Sequence, residues 1–255
     1  MEFFFRQYGQ GQPIIILHGW LGLSDHWMSV AKFLSEQGFN VIVPDLPNHG
    51  RSFHTEDFSF DEMAEIMYSF SLTQGFEDPI LLAHSMGGKI AMKMVDKNPD
   101  YYKSLILIDI HFRLYERNPE RDLFTSLLSQ TNPSDFKDIR NFRNHFLDNG
   151  IEKDMVAVIL KNVEYNKKTL QWKSNMPMLA REAEKVMQEV EISETNIPTL
   201  ILRGENSNYI RDEDIITLKE KFKNSKIITV PKSGHLIHVD NPAFLLKEIL
   251  YFTQE

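Results

Sequence analysis

The chain of 255 residues contains no cysteine. This absence excludes disulfide bonds, thiolate zinc sites and cysteine nucleophiles. It is compatible with a reducing compartment, so the cytoplasm is the expected location. No apolar run approaches the ~18–20 residues that a membrane-spanning helix needs, so no membrane span is expected. The N-terminal sequence MEFFFRQYGQ lacks a basic start and a long apolar stretch, so it predicts a short first strand instead of a signal peptide.

An excess of positive charge is also missing. The formal net charge is -8 and no basic stripe occurs along the chain, so nucleic acid is not an expected partner. The nine histidines are scattered, without an H-E-x-x-H or comparable cluster, so neither a metal nor another cofactor is expected. Nothing in the sequence indicates the oligomeric state.

Short apolar runs alternate with amphipathic stretches, which is typical of a parallel sheet flanked by helices. The runs are almost continuously apolar, as expected of strands covered on both faces. The pattern therefore predicts an α/β fold with a mostly parallel central sheet. Strands are predicted at 14–17, 41–43, 80–83, 105–108, 199–202 and 227–230, and helices near 26–37, 60–73, 87–97, 212–222 and 242–252.

The alternation stops between about residues 111 and 190, a segment rich in charge, asparagine and helix formers and without a convincing strand. Because it lies between two core strands, we expect a helical insertion folded over one edge of the sheet, acting as a lid over a pocket. An excursion without a gating role is the alternative. The predicted organisation is a core of residues 1–110 and 191–255, with a lid of residues 111–190 inserted after the strand that ends at Asp109.

Ser85 lies between a predicted strand and a predicted helix, in the sequence A-H-S-M-G at residues 83–87. This matches the nucleophile elbow G-x-S-x-G, whose sharp turn needs small residues two positions before and after the serine. The following helix N-terminus favours developing negative charge. Ala83 replaces the first glycine, and because alanine is the smallest substitute, we expect the turn to form. Ser85 is the predicted nucleophile; an incidental serine at a glycine-rich helix start is the alternative.

The loop after the first core strand reads H-G-W-L-G at residues 18–22. In a sheet of this type the loop lies beside the elbow, and its backbone N–H groups can converge with that of Met86 on one oxygen. Trp20 is the expected donor; a core aromatic without catalytic contact is the alternative. His18 and Leu21 are predicted to lie at the substrate pocket, and His18 is expected to order the loop by hydrogen bonding.

His235 follows the last core strand within the sequence K-S-G-H-L-I-H at residues 232–238. A loop there can hold an imidazole over the elbow, within reach of the serine hydroxyl. His235 is therefore the predicted base, with His238 as its rival.

The acid that orients this imidazole usually follows the next-to-last strand, but Ser207 stands where an aspartate would be expected. Asp109 ends the strand after the elbow helix, near the elbow, and keeps the chain order Ser, Asp, His. Asp109 is the predicted acid and Glu205 the alternative; a role for Asp109 in only capping the start of the lid also remains open.

With these residues in place, the chain resembles the α/β-hydrolase superfamily, and within it the small bacterial esterases of the YbfF type. The resemblance extends over nearly the whole chain. It depends on H-G-W-L-G at 18–22, D-L-P-N-H-G-R-S at 45–52, H-S-M-G-G-K at 84–89, G-H at 234–235, and, in the insertion, I-L-K-N at 159–162 with Trp172 and Asn175.

The resemblance implies hydrolysis of carboxylic esters, with small acyl esters or thioesters as the substrate partners, and it supports Asp109 as the acid. It also implies structural roles for Asp45 and Arg51. Another reaction of the same triad, such as C–C bond hydrolysis, perhydrolysis or a lyase reaction, is an alternative, as is a binding protein that retains the fold. Dehalogenases and epoxide hydrolases are disfavoured because their elbows carry aspartate.

Overall fold

A computed structural model describes residues 2–116, 119–166 and 168–254. Within these ranges no helix is long and apolar enough to cross a membrane. The strands are β1 (Phe5–Tyr8), β2 (Gln12–Leu17), β3 (Phe39–Pro44), β4 (Ile80–His84), β5 (Ser104–Ile108), β6 (Val163–Asn166), β7 (Thr169–Trp172), β8 (Thr199–Gly204) and β9 (Ser225–Val230). The helices are α1 (Met28–Glu36), α2 (Phe60–Thr73), α3 (Met86–Lys97), α4 (Pro119–Gln130), α5 (Ile139–Asp148), α6 (Lys153–Lys161), α7 (Met176–Arg181), α8 (Ala183–Val186), α9 (Asp214–Lys221), α10 (Ile237–Asp240) and α11 (Pro242–Gln254).

The central sheet has seven strands in the order β1-β3-β2-β4-β5-β8-β9. Strand β1 pairs antiparallel with β3, and the other pairs are parallel. The carboxyl ends of the six parallel strands therefore meet at one edge of the sheet. In open α/β sheets, ligands bind in the crevice outside this edge.

Both faces of the sheet are covered by helices. Ile15 and Leu17 of β2 pack on the side of α2 and α3, whereas Ile14 and Ile16 pack on the side of α1 and α11. All four side chains are completely buried. Because successive strand residues face opposite sides, a strand covered on both faces must be apolar throughout, and this explains the unbroken apolar runs. The predicted fold class is confirmed.

The segment between β5 and β8 contains the helices α4 to α8 and also a two-stranded hairpin, β6-β7. The prediction that this segment has no strand was therefore wrong. Each strand has only four residues, and Tyr165 in the middle of β6 is exposed. Such short, mostly polar strands do not show the alternation by which a half-buried strand is recognised.

The two ends of the inserted segment lie side by side where they join the core. Tyr115 donates its backbone N–H to the Met187 carbonyl at 2.9 Å, and Val190 donates to the Phe112 carbonyl at 2.8 Å. The ammonium of Lys89, a fully buried residue of α3, also donates to carbonyl oxygens of both connecting stretches. These contacts tie the base of the inserted segment to the helix that follows the elbow.

Candidate active site

Ser85 lies in the tight turn between β4 and α3, with φ 53° and ψ -124°. A non-glycine residue in this region is strained and persists only where its surroundings hold it. Close packing behind the turn requires Gly87, because a Cβ there would lie 2.5 Å from the carbonyl oxygens of Leu17 and His18. Ala83 stays in register with its neighbours on both sides and is fully buried, so the sheet accommodates its methyl group.

Three side chains from different loops meet at this turn. The His235 Nε2 lies 3.0 Å from the Ser85 hydroxyl oxygen, and the His235 Nδ1 lies 2.8 Å from the Asp109 Oδ2. A carboxylate can only accept, so Nδ1 carries the proton and Nε2 is free to accept the serine proton. The predicted nucleophile, base and acid thus form one continuous hydrogen-bonded chain.

Asp109 follows β5 with φ 49° and is completely buried. Its Oδ1 accepts the backbone N–H of Gly204 at 3.0 Å, and its Oδ2 also accepts the hydroxyl proton of Ser207. The alternative acid, Glu205, turns away and accepts the backbone N–H of Lys232 at 2.8 Å. Of the two carboxylates, the structure brings only Asp109 into contact with the imidazole.

Two further residues hold the His235 imidazole in place. The Tyr209 ring stacks on it with 3.6 Å between centroids and an angle of 13°. The buried His84 donates its Nε2–H to the His235 carbonyl oxygen at 2.9 Å. The rival His238 instead stacks on Trp27, with 4.3 Å between centroids.

Sequence reasoning did not assign the supporting roles of Ser207, Tyr209 and His84. The one available signal was Ser207, which stands where the usual acid of this fold is found. Its hydroxyl holds the carboxylate that approaches from the neighbouring strand. The other two contacts follow no local pattern.

The loop that contains Trp20 closes as a turn in which Gly22 donates its N–H to the Gly19 carbonyl at 2.9 Å. Trp20 is partly exposed, and its indole N–H donates to the Leu179 carbonyl of α7 at 3.3 Å. Among the hydrogen bonds of the described residues, none has the backbone N–H of Trp20 or of Met86 as its donor. Both groups are therefore available to a ligand oxygen.

His18 and Leu21 do not line a pocket, and this expectation is corrected. Both side chains are completely buried. His18 donates its Nδ1–H to the Gly19 carbonyl at 2.8 Å and accepts the Leu46 N–H at Nε2 at 3.0 Å. The ring therefore provides hydrogen-bond partners for buried backbone groups of the loop, which would otherwise be unpaired. This is the ordering role that the sequence predicts for His18.

Several histidines near the site are held neutral. His49 accepts the Leu21 N–H at one ring nitrogen and donates to the Pro47 carbonyl from the other, as His18 does with its own partners. Burial lowers the pKa of His18, His49 and His238 to about 3, and it places the pKa of His84 well below its ordinary value. Protonation would add a proton to a nitrogen that already accepts a hydrogen bond in His18 and His49.

We expect the protein to lose stability steeply below pH 6.5. Above this value the four histidines are neutral in both the folded and the unfolded chain. As the pH falls from 6.5 toward the lowered folded-state values, only the unfolded chain takes up these protons. The free energy of unfolding then falls by about 1.4 kcal/mol per histidine and pH unit. Between pH 6.5 and pH 5, four such groups remove on the order of 8 kcal/mol, which is a large part of the about 5–15 kcal/mol by which domains are stable.

Urea unfolding between pH 8 and pH 5 measures this slope. His238→Phe keeps an aromatic ring against Trp27 but removes one titrating group, so its slope should be smaller by about 1.4 kcal/mol per pH unit. The same free energy of unfolding at pH 7 and pH 5 would contradict the expectation.

The comparison with protein families agrees with this architecture. Residues 12–242 match the family model described as alpha/beta hydrolase fold. The chain therefore belongs to the α/β-hydrolase fold family, and the family resemblance noted in the sequence is confirmed.

Several of the proteins that match most of the chain are esterases. The solved structure of a marine microorganism esterase is 34% identical, with a TM-score of 0.94 and 99% of both chains covered. A Haemophilus influenzae protein classed as an esterase/lipase is 30% identical over 94% of this chain and 82% of its own. The esterase YbfF of Escherichia coli is 24% identical, covering 93% of this chain and 91% of its own.

Proposed function

We propose that this protein hydrolyses carboxylic esters through an acyl-enzyme intermediate, with Ser85 as nucleophile, His235 as general base and acid, and Asp109 as the group that orients His235. One observation carries the proposal: the unbroken chain from Asp109 Oδ2 to His235 Nδ1 at 2.8 Å and from His235 Nε2 to Ser85 Oγ at 3.0 Å. These distances suit proton transfer from the hydroxyl to the imidazole. The similarity to esterases supports the choice of substrate.

In the first half of the proposed reaction, Ser85 Oγ attacks the ester carbonyl while His235 Nε2 takes its proton. Negative charge develops on the carbonyl oxygen, which the backbone N–H groups of Trp20 and Met86 receive. Fixed donors aimed at this oxygen stabilise the transition state more than the substrate, and this difference accelerates the reaction. The imidazolium then protonates the leaving alcohol, or the thiol of a thioester.

In the second half, water replaces the alcohol. His235 removes a proton from water, the hydroxide attacks the acyl carbon, and the collapsing intermediate returns the Ser85 oxygen as a hydroxyl. Asp109 stays ionised throughout and stabilises the imidazolium in both halves. Its carboxylate accepts hydrogen bonds from Gly204, Ser207 and His235, which fix its orientation.

The inserted segment, residues 111–190, would then serve as a lid over the acyl or alcohol group. Two contacts support this placement: Trp20 donates its indole N–H to Leu179 of α7, and its ring meets Phe124 of α4 edge-on at 5.9 Å. The lid thus covers the loop that holds the proposed oxyanion donor. Closing a site in this way excludes bulk water and strengthens the electrostatic interactions inside it.

A series of p-nitrophenyl esters from acetate to octanoate, with acyl thioesters beside it, tests the proposal. We expect hydrolysis of esters and labelling by a fluorophosphonate that peptide mapping places on Ser85. Labelling of another residue, or the absence of hydrolysis across the whole series, would refute it. The rates along the series report how much space the lid leaves.

A further inference from the structure

The turn that presents Trp20 depends on a conformation that leucine rarely adopts. Leu21 has a φ of +60°, in the region that favours glycine, and it is completely buried. A branched side chain stays in this region only where the surrounding structure determines it.

Both backbone groups of Leu21 are bound by distant side chains. Its N–H donates to His49 Nε2 at 3.2 Å. Its carbonyl oxygen accepts the amide Nδ2–H of Asn162 at 2.8 Å, although the two residues are 141 positions apart. Asn162 follows α6 directly, within the inserted segment. The lid therefore supplies one of the two groups that hold this loop.

The amide of Asn162 can point in only one direction. It is completely buried, and its Oδ1 accepts the hydroxyl proton of Ser174. Ser174 Oγ in turn accepts the Gly50 backbone N–H at 2.8 Å, so its own proton is the one it donates to Asn162. With Oδ1 occupied in this way, Nδ2 must face Leu21. A fully satisfied buried network of this kind is rigid.

We infer that Asn162 is a positioning residue for the oxyanion hole: by binding the Leu21 carbonyl, it fixes the turn that aims the Trp20 N–H. The inference rests on the proposed ester hydrolysis. If Asn162 has this role, the lid helps to position a catalytic group. The side of the lid that contains Asn162 and Ser174 must then stay bound to the core during turnover. Access to Ser85 must then come from elsewhere on the lid.

A donor aimed at the developing oxyanion contributes mainly to the transition state, so its misplacement lowers kcat more than it changes KM. Mispositioning by about 1 Å can cost on the order of 10²-fold in rate. We therefore expect Asn162→Leu, which keeps the size but loses the donor, to lower kcat by about this factor with KM within about twofold. Ser174→Ala should act in the same direction with a smaller loss, because it frees the amide to turn.

Asn175→Ala is the matched control. Asn175 also belongs to the lid and also binds the core, donating its Nδ2–H to the Asn48 Oδ1 at 3.1 Å, but among the described hydrogen bonds it has none to residues 19–22. We expect it to leave kcat unchanged. Affinity for a trifluoromethyl ketone, which forms a tetrahedral adduct with the serine, should fall in Asn162→Leu in parallel with kcat/KM and remain unchanged in Asn175→Ala.

A normal kcat in Asn162→Leu, or an equal loss in Asn175→Ala, would overturn the inference. Urea unfolding accompanies each variant, and if Asn162→Leu does not fold, Ser174→Ala decides by the same criteria. The activity of the wild-type protein distinguishes failure of the role of Asn162 from failure of the proposed function. If the wild type hydrolyses no ester, the proposed function fails; if it does and the variants match it, only the role of Asn162 fails.

Discussion

Replacing Ser85 by alanine is expected to lower kcat/KM for ester hydrolysis by a factor on the order of 10⁶. The change removes the atom that attacks the carbonyl, and no other described hydroxyl lies within hydrogen-bond distance of the His235 Nε2. Substrate should still bind, because the proposed oxyanion donors are backbone groups. Steady-state hydrolysis of p-nitrophenyl butyrate measures the loss of rate, and labelling by a fluorophosphonate measures the loss of the nucleophile.

Ser104→Ala is the control for this variant. Ser104 is also buried, but it begins β5 and so lies at the opposite edge of the sheet from Ser85. Its replacement should leave both activity and labelling unchanged. Comparable losses in the two variants would contradict the assignment of Ser85 as nucleophile.

Asp109→Asn is expected to lower kcat by a factor on the order of 10⁴. The amide can present its NH₂ group to His235 Nδ1, which must then accept and leave the proton on Nε2. In that tautomer Nε2 cannot take the proton of Ser85. The side chain keeps its size and can still accept the Gly204 N–H, so folding should be preserved. Rates at saturating ester concentration, with a circular dichroism spectrum of each protein, measure this.

Glu205→Gln distinguishes the two candidate acids. Its side-chain oxygen can still accept the Lys232 N–H, and it makes no contact with His235 among the described hydrogen bonds. Activity close to that of the wild type is therefore expected. Similar losses in Asp109→Asn and Glu205→Gln would refute the role proposed for Asp109.

The architecture was largely predictable because it depends on local patterns. Continuous apolar runs such as Ile14–Leu17 identify strands covered on both faces, and amphipathic stretches identify the helices between them. The hairpin β6-β7 was missed for the same reason, since its strands are too short and too polar to show a period.

The site was predictable to the extent that its residues belong to short motifs. Ser85 and His235 follow core strands, and parallel strands bring their carboxyl ends to one edge. The place of the acid was harder to predict, because two carboxylates follow neighbouring strands. Backbone geometry separates them: Asp109 is held by Gly204 and Ser207, whereas Glu205 points to Lys232. The pocket role expected of His18 and Leu21 failed because burial cannot be read from a motif.

By itself, the sequence determined the fold class, the elbow at Ser85 and the loop that carries His235, since each is encoded by a few neighbouring residues. Only the tertiary structure decided how the imidazole is braced and how the lid meets the core. The contacts of Ser207 with Asp109 and of Asn162 with Leu21 join residues 98 and 141 positions apart. Such contacts depend on how the intervening chain folds, and this cannot be predicted from local sequence patterns.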